Sequence, residues 1–264
     1  MLLVALGLLV PAVFVAIGVA ISLRQPGSRA APAITTTAGF TPVGGGHAGS
    51  SRAPVHPARP SAPIPGGPGS LVALLRHSTP LRAAPGGHTL TRLGTKTQFG
   101  SPEVMWVVAH VPGWLGVMTP QAGNNRVAWI TQSSAALTRV SWELKVSLSA
   151  RQLTVLDSGK VVVRYTVAIG QAGAPTPTGR FAVTDRLLTG DPEGPYGCCI
   201  LALNAHSPHA IQGWTGGTRI AIHSTPEVTS IGEAASHGCV RVTLAEGRWL
   251  LNHIPLGTPT LISA

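Results

Sequence analysis

The chain has 264 residues, 44% hydrophobic and 11% charged, with a formal net charge of +10. That charge is uneven: residues 1–140 hold ten Lys and Arg against one acid, Glu103, whereas residues 141–264 hold nine against eight. A basic half favours anionic surfaces, but no nucleic-acid motif accompanies it, which argues against nucleic acid as partner, and three cysteines exclude complete pairing within one chain.

In chain order, residues 2–23 are apolar throughout apart from glycines, Pro11 and Ser22. That is long enough to span a bilayer, so residues 1–24 are expected to be an uncleaved membrane anchor, with a signal cleaved near Ala20 as the alternative. No Lys or Arg precedes the segment while Arg24 and Arg29 follow it, opposite to the positive-inside preference for an exported C-terminal part. A start upstream of Met1 stays open. Residues 25–70 shift to Pro, Gly, Ala, Ser and Thr, which cannot bury enough surface to offset ordering entropy and read as an extended tether. His47 and His56 within it show no metal-site spacing.

Over 71–140 apolar runs return at 104–108, 114–118 and 126–130, the last after a turn at Gly123-Asn124-Asn125. Short β-rich runs between turn residues predict a small all-β module. Residues 141–264 read as mainly strands, with runs at 142–146 and 152–156 and a turn at Asp157-Ser158-Gly159 leading into 161–163. Thr176-Pro177-Thr178-Gly179-Arg180-Phe181 reads as a turn entering a strand. One helix is marked: Thr243 and Glu246 form a capping-box pattern and Ile254-Pro255 ends it.

Chemistry concentrates in Ile220-Ala221-Ile222-His223 and Ser236-His237-Gly238-Cys239-Val240-Arg241. A thiol attacks a carbonyl as thiolate and needs an imidazole to take its proton, which His223 could supply for Cys239. Gly238 permits a tight turn, and the N–H groups of Gly238 and Cys239 are natural oxyanion donors. Ser236 and His237 add a hydroxyl and a second imidazole that could orient the turn or meet substrate. A lone buried cysteine is more often core. Zinc held by His223, His237 and Cys239 is the sharper rival, but no fourth ligand or Cys-x-x-Cys supports it. Cys198 and Cys199 are adjacent in a loop with Tyr196; a vicinal disulfide would be strained, so simple packing is expected of them, and Tyr196 reads as loop packing before cleft lining.

Residues 223–240 resemble the signature of the L,D-transpeptidase (YkuD-type) catalytic domain, with Ser224 where many relatives carry glycine and Arg241 where others carry asparagine. The 176–181 stretch resembles the same family, and the likeness covers roughly 141–264. Residues 114–130 resemble the small bacterial SH3-like barrel often placed before that domain, although Ala128 replaces a usual glycine. The resemblance implies a mainly β protein with a few short helices: anchor 1–24, linker 25–70, SH3-like module 71–140 and catalytic domain 141–264. It implies a peptidoglycan transpeptidase on the extracytoplasmic side, membrane-anchored or secreted, with stem peptides as substrate. Cys239 would be nucleophile, His223 base, Gly238 and Cys239 the oxyanion donors, and Ser224, Ser236, His237 and Arg241 substrate-binding or supporting positions. No metal or organic cofactor is implied. A carbapenem is expected as covalent inhibitor, and the basic half would suit anionic wall polymers or lipid. An L,D-carboxypeptidase using water as acceptor, or a non-catalytic wall-binding protein, are the alternatives.

Overall fold

A computed structural model describes residues 65–208 and 217–264. The expected anchor 1–24 and the linker up to residue 64 lie outside the described residues. Among the described residues no helix is long and apolar enough to cross a membrane.

Seven antiparallel strands make the first sheet: β1 (Ser70–Leu75), β2 (Thr79–Arg82), β3 (Thr89–Leu93), β4 (Val104–Val111), β5 (Trp114–Met118), β6 (Ala128–Thr131) and β7 (Ala135–Val140), in spatial order β3-β2-β6-β5-β4-β1-β7. Leu81, Met105, Leu115 and Ile130 fill its core. The sheet changes at Ser141. The second contains β8 (Trp142–Ser147), β9 (Gln152–Asp157), β10 (Lys160–Thr166), β12 (Gly179–Leu188), β13 (Cys199–His206), β14 (Arg219–Ser224), β16 (Val240–Val242) and β17 (Pro259–Ser263), ordered β10-β9-β8-β17-β12-β13-β14-β16. Two short strands, β11 (Ile169–Gly170) and β15 (Ala234–Ser236), pair in parallel beside it. One α-helix, α1 (Leu244–His253), and three 3-10 turns complete the described elements, so the architecture is mainly β.

Local chemistry accounts for these elements. Ser158 and Gly159 both adopt positive φ, 50° and 76°, the geometry of the tight hairpin turn between β9 and β10. In β8, Leu144 and Val146 are buried while Lys145 is exposed, the alternation of a strand with one covered face. β13 and β14 are buried almost throughout, as expected of strands covered on both faces; α1 packs on both. The capping box at α1 forms as read: the Thr243 hydroxyl accepts from the Glu246 N–H, and the Glu246 carboxylate accepts from the Thr243 N–H.

Both sheets belong to one compact unit. Charged groups that periodicity does not reveal join them. Thr97 and Glu103, from the β3–β4 connection, meet Asp185 of β12 and Arg219 of β14: the Thr97 hydroxyl donates to Asp185, and the Arg219 guanidinium lies 4.0 Å from the Asp185 carboxylate while donating to Leu203 O at 2.8 Å. Glu103, Asp185 and Arg219 are all buried. Burial, then the charge of Asp185, push the Glu103 carboxyl up to about 7, with Arg219 opposing.

Candidate active site

β14 and β16 run parallel, with Ile222 opposite Val240 and His223 opposite Arg241. Parallel neighbours need a crossover of a dozen or more residues, and residues 225–239 are that crossover; the spacing between the histidine and the cysteine is therefore a topological requirement. Cys239 lies at its end, beside Ala221, whose backbone hydrogen-bonds the thiol. Ala221 and His223 share a face of β14 because strand side chains alternate.

His223 is buried, and its Nδ1 lies 2.8 Å from the Ser224 carbonyl. A carbonyl only accepts, so Nδ1 carries the proton and Nε2 keeps its lone pair for a donor. Burial lowers the imidazole pKa to about 4, with the Ser224 carbonyl opposing and the Arg241 charge assisting. Cys239 is the one free cysteine and is buried. Burial pushes its thiol up to about 11, opposed by the Ala221 hydrogen bond and by Arg241. Near neutrality the pair therefore rests as thiol and imidazole. No cluster of His, Cys, Asp and Glu able to hold a metal occurs among the described residues.

The turn before Cys239 is braced by Ser236, whose hydroxyl donates to Cys239 O at 2.5 Å and accepts from the Gly238 N–H at 3.1 Å. Gly238 has φ +115°, and a Cβ there would lie 2.9 Å from Ile220 Cδ1, so glycine is required. Of the expected oxyanion pair, the Gly238 N–H is engaged by a serine two residues back, a local bond that hydroxyls favour, leaving the Cys239 N–H as the member that Ser236 does not occupy. His237 sits exposed at the turn. Arg241 pairs with Glu227 at 3.1 Å, and its buried Nε has no hydrogen-bond partner.

Ser224 is placed away from the substrate role expected for it. As the next residue along β14 it points to the face opposite His223. There it is fully buried; its hydroxyl accepts from the Cys199 N–H at 3.1 Å and lies 3.5 Å from the Cys198 sulfur. Cys198 and Cys199 are joined by a disulfide, which corrects the expectation that they merely pack. The tight turn before them, with Gly197 at φ +54° and its N–H bonded to Gly194 O, delivers both sulfurs to one buried place. Tyr196, read as packing, covers the imidazole edge-on with ring centroids 5.0 Å apart. Burial raises its phenol to about 12, with Cys239 adding and Arg241 opposing. Tyr196 thus meets the histidine while Cys198 and Cys199 meet Ser224 behind it, and only their closeness in sequence to the apolar run at 200–203 hinted at it.

The model of the L,D-transpeptidase catalytic domain family, YkuD, matches residues 141–262. The YkuD protein of Bacillus subtilis, named as a candidate L,D-transpeptidase, is 30% identical over 124 residues, covering 47% of this chain and 67% of its own length. A second B. subtilis protein of the same description, YqjB, is 30% identical over 128 residues, 45% of this chain and 69% of its own. Among solved structures, an Enterococcus faecium L,D-transpeptidase mutant aligns at TM-score 0.37 and 21% identity, covering 47% of this chain and 50% of that one. L,D-transpeptidase 3 of Mycobacterium tuberculosis, in complex with a faropenem-derived adduct, aligns at 0.40 and 18%, covering 52% and 73%. The present chain spans about half the length of the enterococcal protein. With the cysteine turn and strand-borne histidine both inside the matched span, and two curated relatives covered over two thirds of their length, the chain belongs to the L,D-transpeptidase (YkuD) family.

Proposed function

We propose that the chain is a peptidoglycan L,D-transpeptidase working by cysteine acyl transfer. The observation that carries this reading is the orientation of His223: its Nδ1–H is held by the Ser224 carbonyl, so Nε2 keeps a lone pair to accept a proton, and the Cys239 thiol hydrogen-bonds the β14 backbone at Ala221, two residues before the histidine. As the thiol attacks the amide before the terminal D-alanine of a stem tetrapeptide, its proton passes to His223. The imidazolium then protonates the leaving amine of D-alanine, and a thioester remains on Cys239. The diamino-acid amine of a neighbouring stem attacks that thioester, giving the cross-link and returning the thiol. The Cys239 N–H stabilises the oxyanion, and Arg241, with an uncommitted buried Nε, meets an anionic group of the peptide. Cys239 and His223 are both buried and Tyr196 covers the imidazole, so the substrate must displace the Tyr196 segment to reach them.

The same proposal places the catalytic part outside the cytoplasmic membrane, with residues 1–24 as anchor or signal. It reads 71–140 as an SH3-like module whose basic character suits anionic wall polymers or lipid. Incubating the protein with disaccharide-tetrapeptides and reading products by mass spectrometry tests the reaction: a cross-linked dimer with released D-alanine is expected. A shortened monomer would instead make it a carboxypeptidase, and unchanged substrate would leave a non-catalytic wall-binding role.

A further inference from the structure

The 176–181 stretch carries no reacting group, yet it joins the first sheet to the cysteine turn. Asn125, in the turn between β5 and β6, has φ 59°, a left-handed conformation that Asn tolerates. Its side-chain amide behaves like an added rung of β-sheet: Nδ2 donates to Thr178 O at 3.1 Å, and Oδ1 accepts from the Arg180 N–H at 2.8 Å. Gly179, between those partners, has φ +138°, and a Cβ there would overlap the Asn125 amide. The Arg180 guanidinium lies over the Trp106 ring at 4.7 Å. Next door, Asn124 donates to His206 O at 2.7 Å and accepts from the His206 N–H at 2.8 Å. Two successive asparagines therefore grip the ends of β12 and β13.

From Thr178 the contacts continue to the nucleophile. Thr176 is buried and its hydroxyl accepts from the Gly170 N–H at 2.8 Å. The Ala174 N–H donates to Gln171 O, and the Gln171 N–H donates to Ser236 O, each at 2.9 Å. The Pro175 and Ala174 carbonyls face Gly238, 3.5 and 3.7 Å from where its Cβ would be. Ser236 in turn holds Cys239 O.

We propose that Asn125 is a positioning residue for the Cys239 turn: by binding the backbone on both sides of Gly179, it fixes the 171–178 segment against which Gly238 and Ser236 pack. The first sheet is then part of the catalytic apparatus, whatever else it binds. This rests on Cys239 being the nucleophile.

Asn125→Gly in the full chain tests it, because glycine keeps the positive φ and removes only the amide. At a temperature well below both unfolding midpoints, kcat on the tetrapeptide and the acylation rate by a carbapenem should fall between about tenfold and a hundredfold, the scale of an ångström-sized displacement. KM should stay within about twofold, the pattern of a lost transition-state contribution. Asn125→Asp, which keeps the acceptor for the Arg180 N–H, should recover part of the loss. Wild-type acylation rates in Asn125→Gly, or a loss matching only the fraction unfolded, would overturn the proposal. A wild-type chain that carbapenem does not label at Cys239 would instead overturn the nucleophile reading, and this one with it.

Discussion

Burial keeps the Cys239 thiol and the His223 imidazole neutral in the resting site. The thiol is raised to about 11 and the imidazole lowered to about 4, so the site stores no thiolate–imidazolium pair; in the proposed reaction, proton transfer accompanies attack. Arg241 favours the thiolate and disfavours the imidazolium, which directs the charge that develops toward sulfur. Two pH consequences follow. Labelling of Cys239 by a small alkylating reagent should keep climbing past about pH 9, where a thiol of ordinary pKa near 8.5 has largely levelled off. Acylation by a carbapenem should hold its rate down to about pH 5, since His223 remains a base above about 4. An acid limb centred near about 6.5, the ordinary histidine value, would contradict the buried neutral imidazole. Stability carries the same sign. The unfolded chain protonates His223 near about 6.5 and the folded chain only near 4, so this residue's contribution is complete above 6.5 and is lost as pH falls toward 4. The thiol and imidazole proposed as nucleophile and base stood out in the sequence because their flanking residues are distinctive. The hydrogen bonds of Gly238 and Ser224 did not, because they depend on which hydroxyl reaches an amide and which face of β14 meets α1.

At the scale of elements, the parallel pairing of β14 with β16 puts Cys239 at the end of a crossover, and α1 follows β16 directly. The start of α1 is set by local chemistry alone, which is why Thr243, Glu246 and Ile254 could be read in advance. Thr243→Ala should cost about 1 kcal/mol, the usual value of an N-cap hydroxyl. That corresponds to a fall of about 2–4 °C in the thermal midpoint for a folded unit of this size. An unchanged midpoint would mean that the box seen at Thr243 and Glu246 contributes nothing to folding. Strands with strict alternation or a two-residue turn, such as β8 and the β9–β10 hairpin, were equally legible. The Cys198–Cys199 bond was not: adjacency alone does not say whether two buried sulfurs pack or join, and the turn at Gly194–Gly197 is held by Ser224, at Tyr196 O, and by Thr189, at Gly197 O.

Across the whole molecule, the two sheets act as one unit through contacts with no sequence period. Glu103, Asp185 and Arg219 are far apart in the chain, and nothing in their flanking residues marks them as buried partners; removing one would leave the others uncompensated in a dry interface. The Asn124 and Asn125 grips are of the same kind, since a Gly-Asn-Asn turn predicts its own bend and not the strands it clasps. The basic half is readable as charge, whereas its hold on the second sheet arises only in the fold. Intact-mass analysis of the full chain after exposure to a carbapenem, compared with Cys239→Ser and His223→Ala, tests the central claim most directly. The account predicts a single covalent adduct, mapped to Cys239, absent in Cys239→Ser and formed far more slowly in His223→Ala. An adduct that persists in Cys239→Ser, or forms at the wild-type rate without the imidazole, would contradict it.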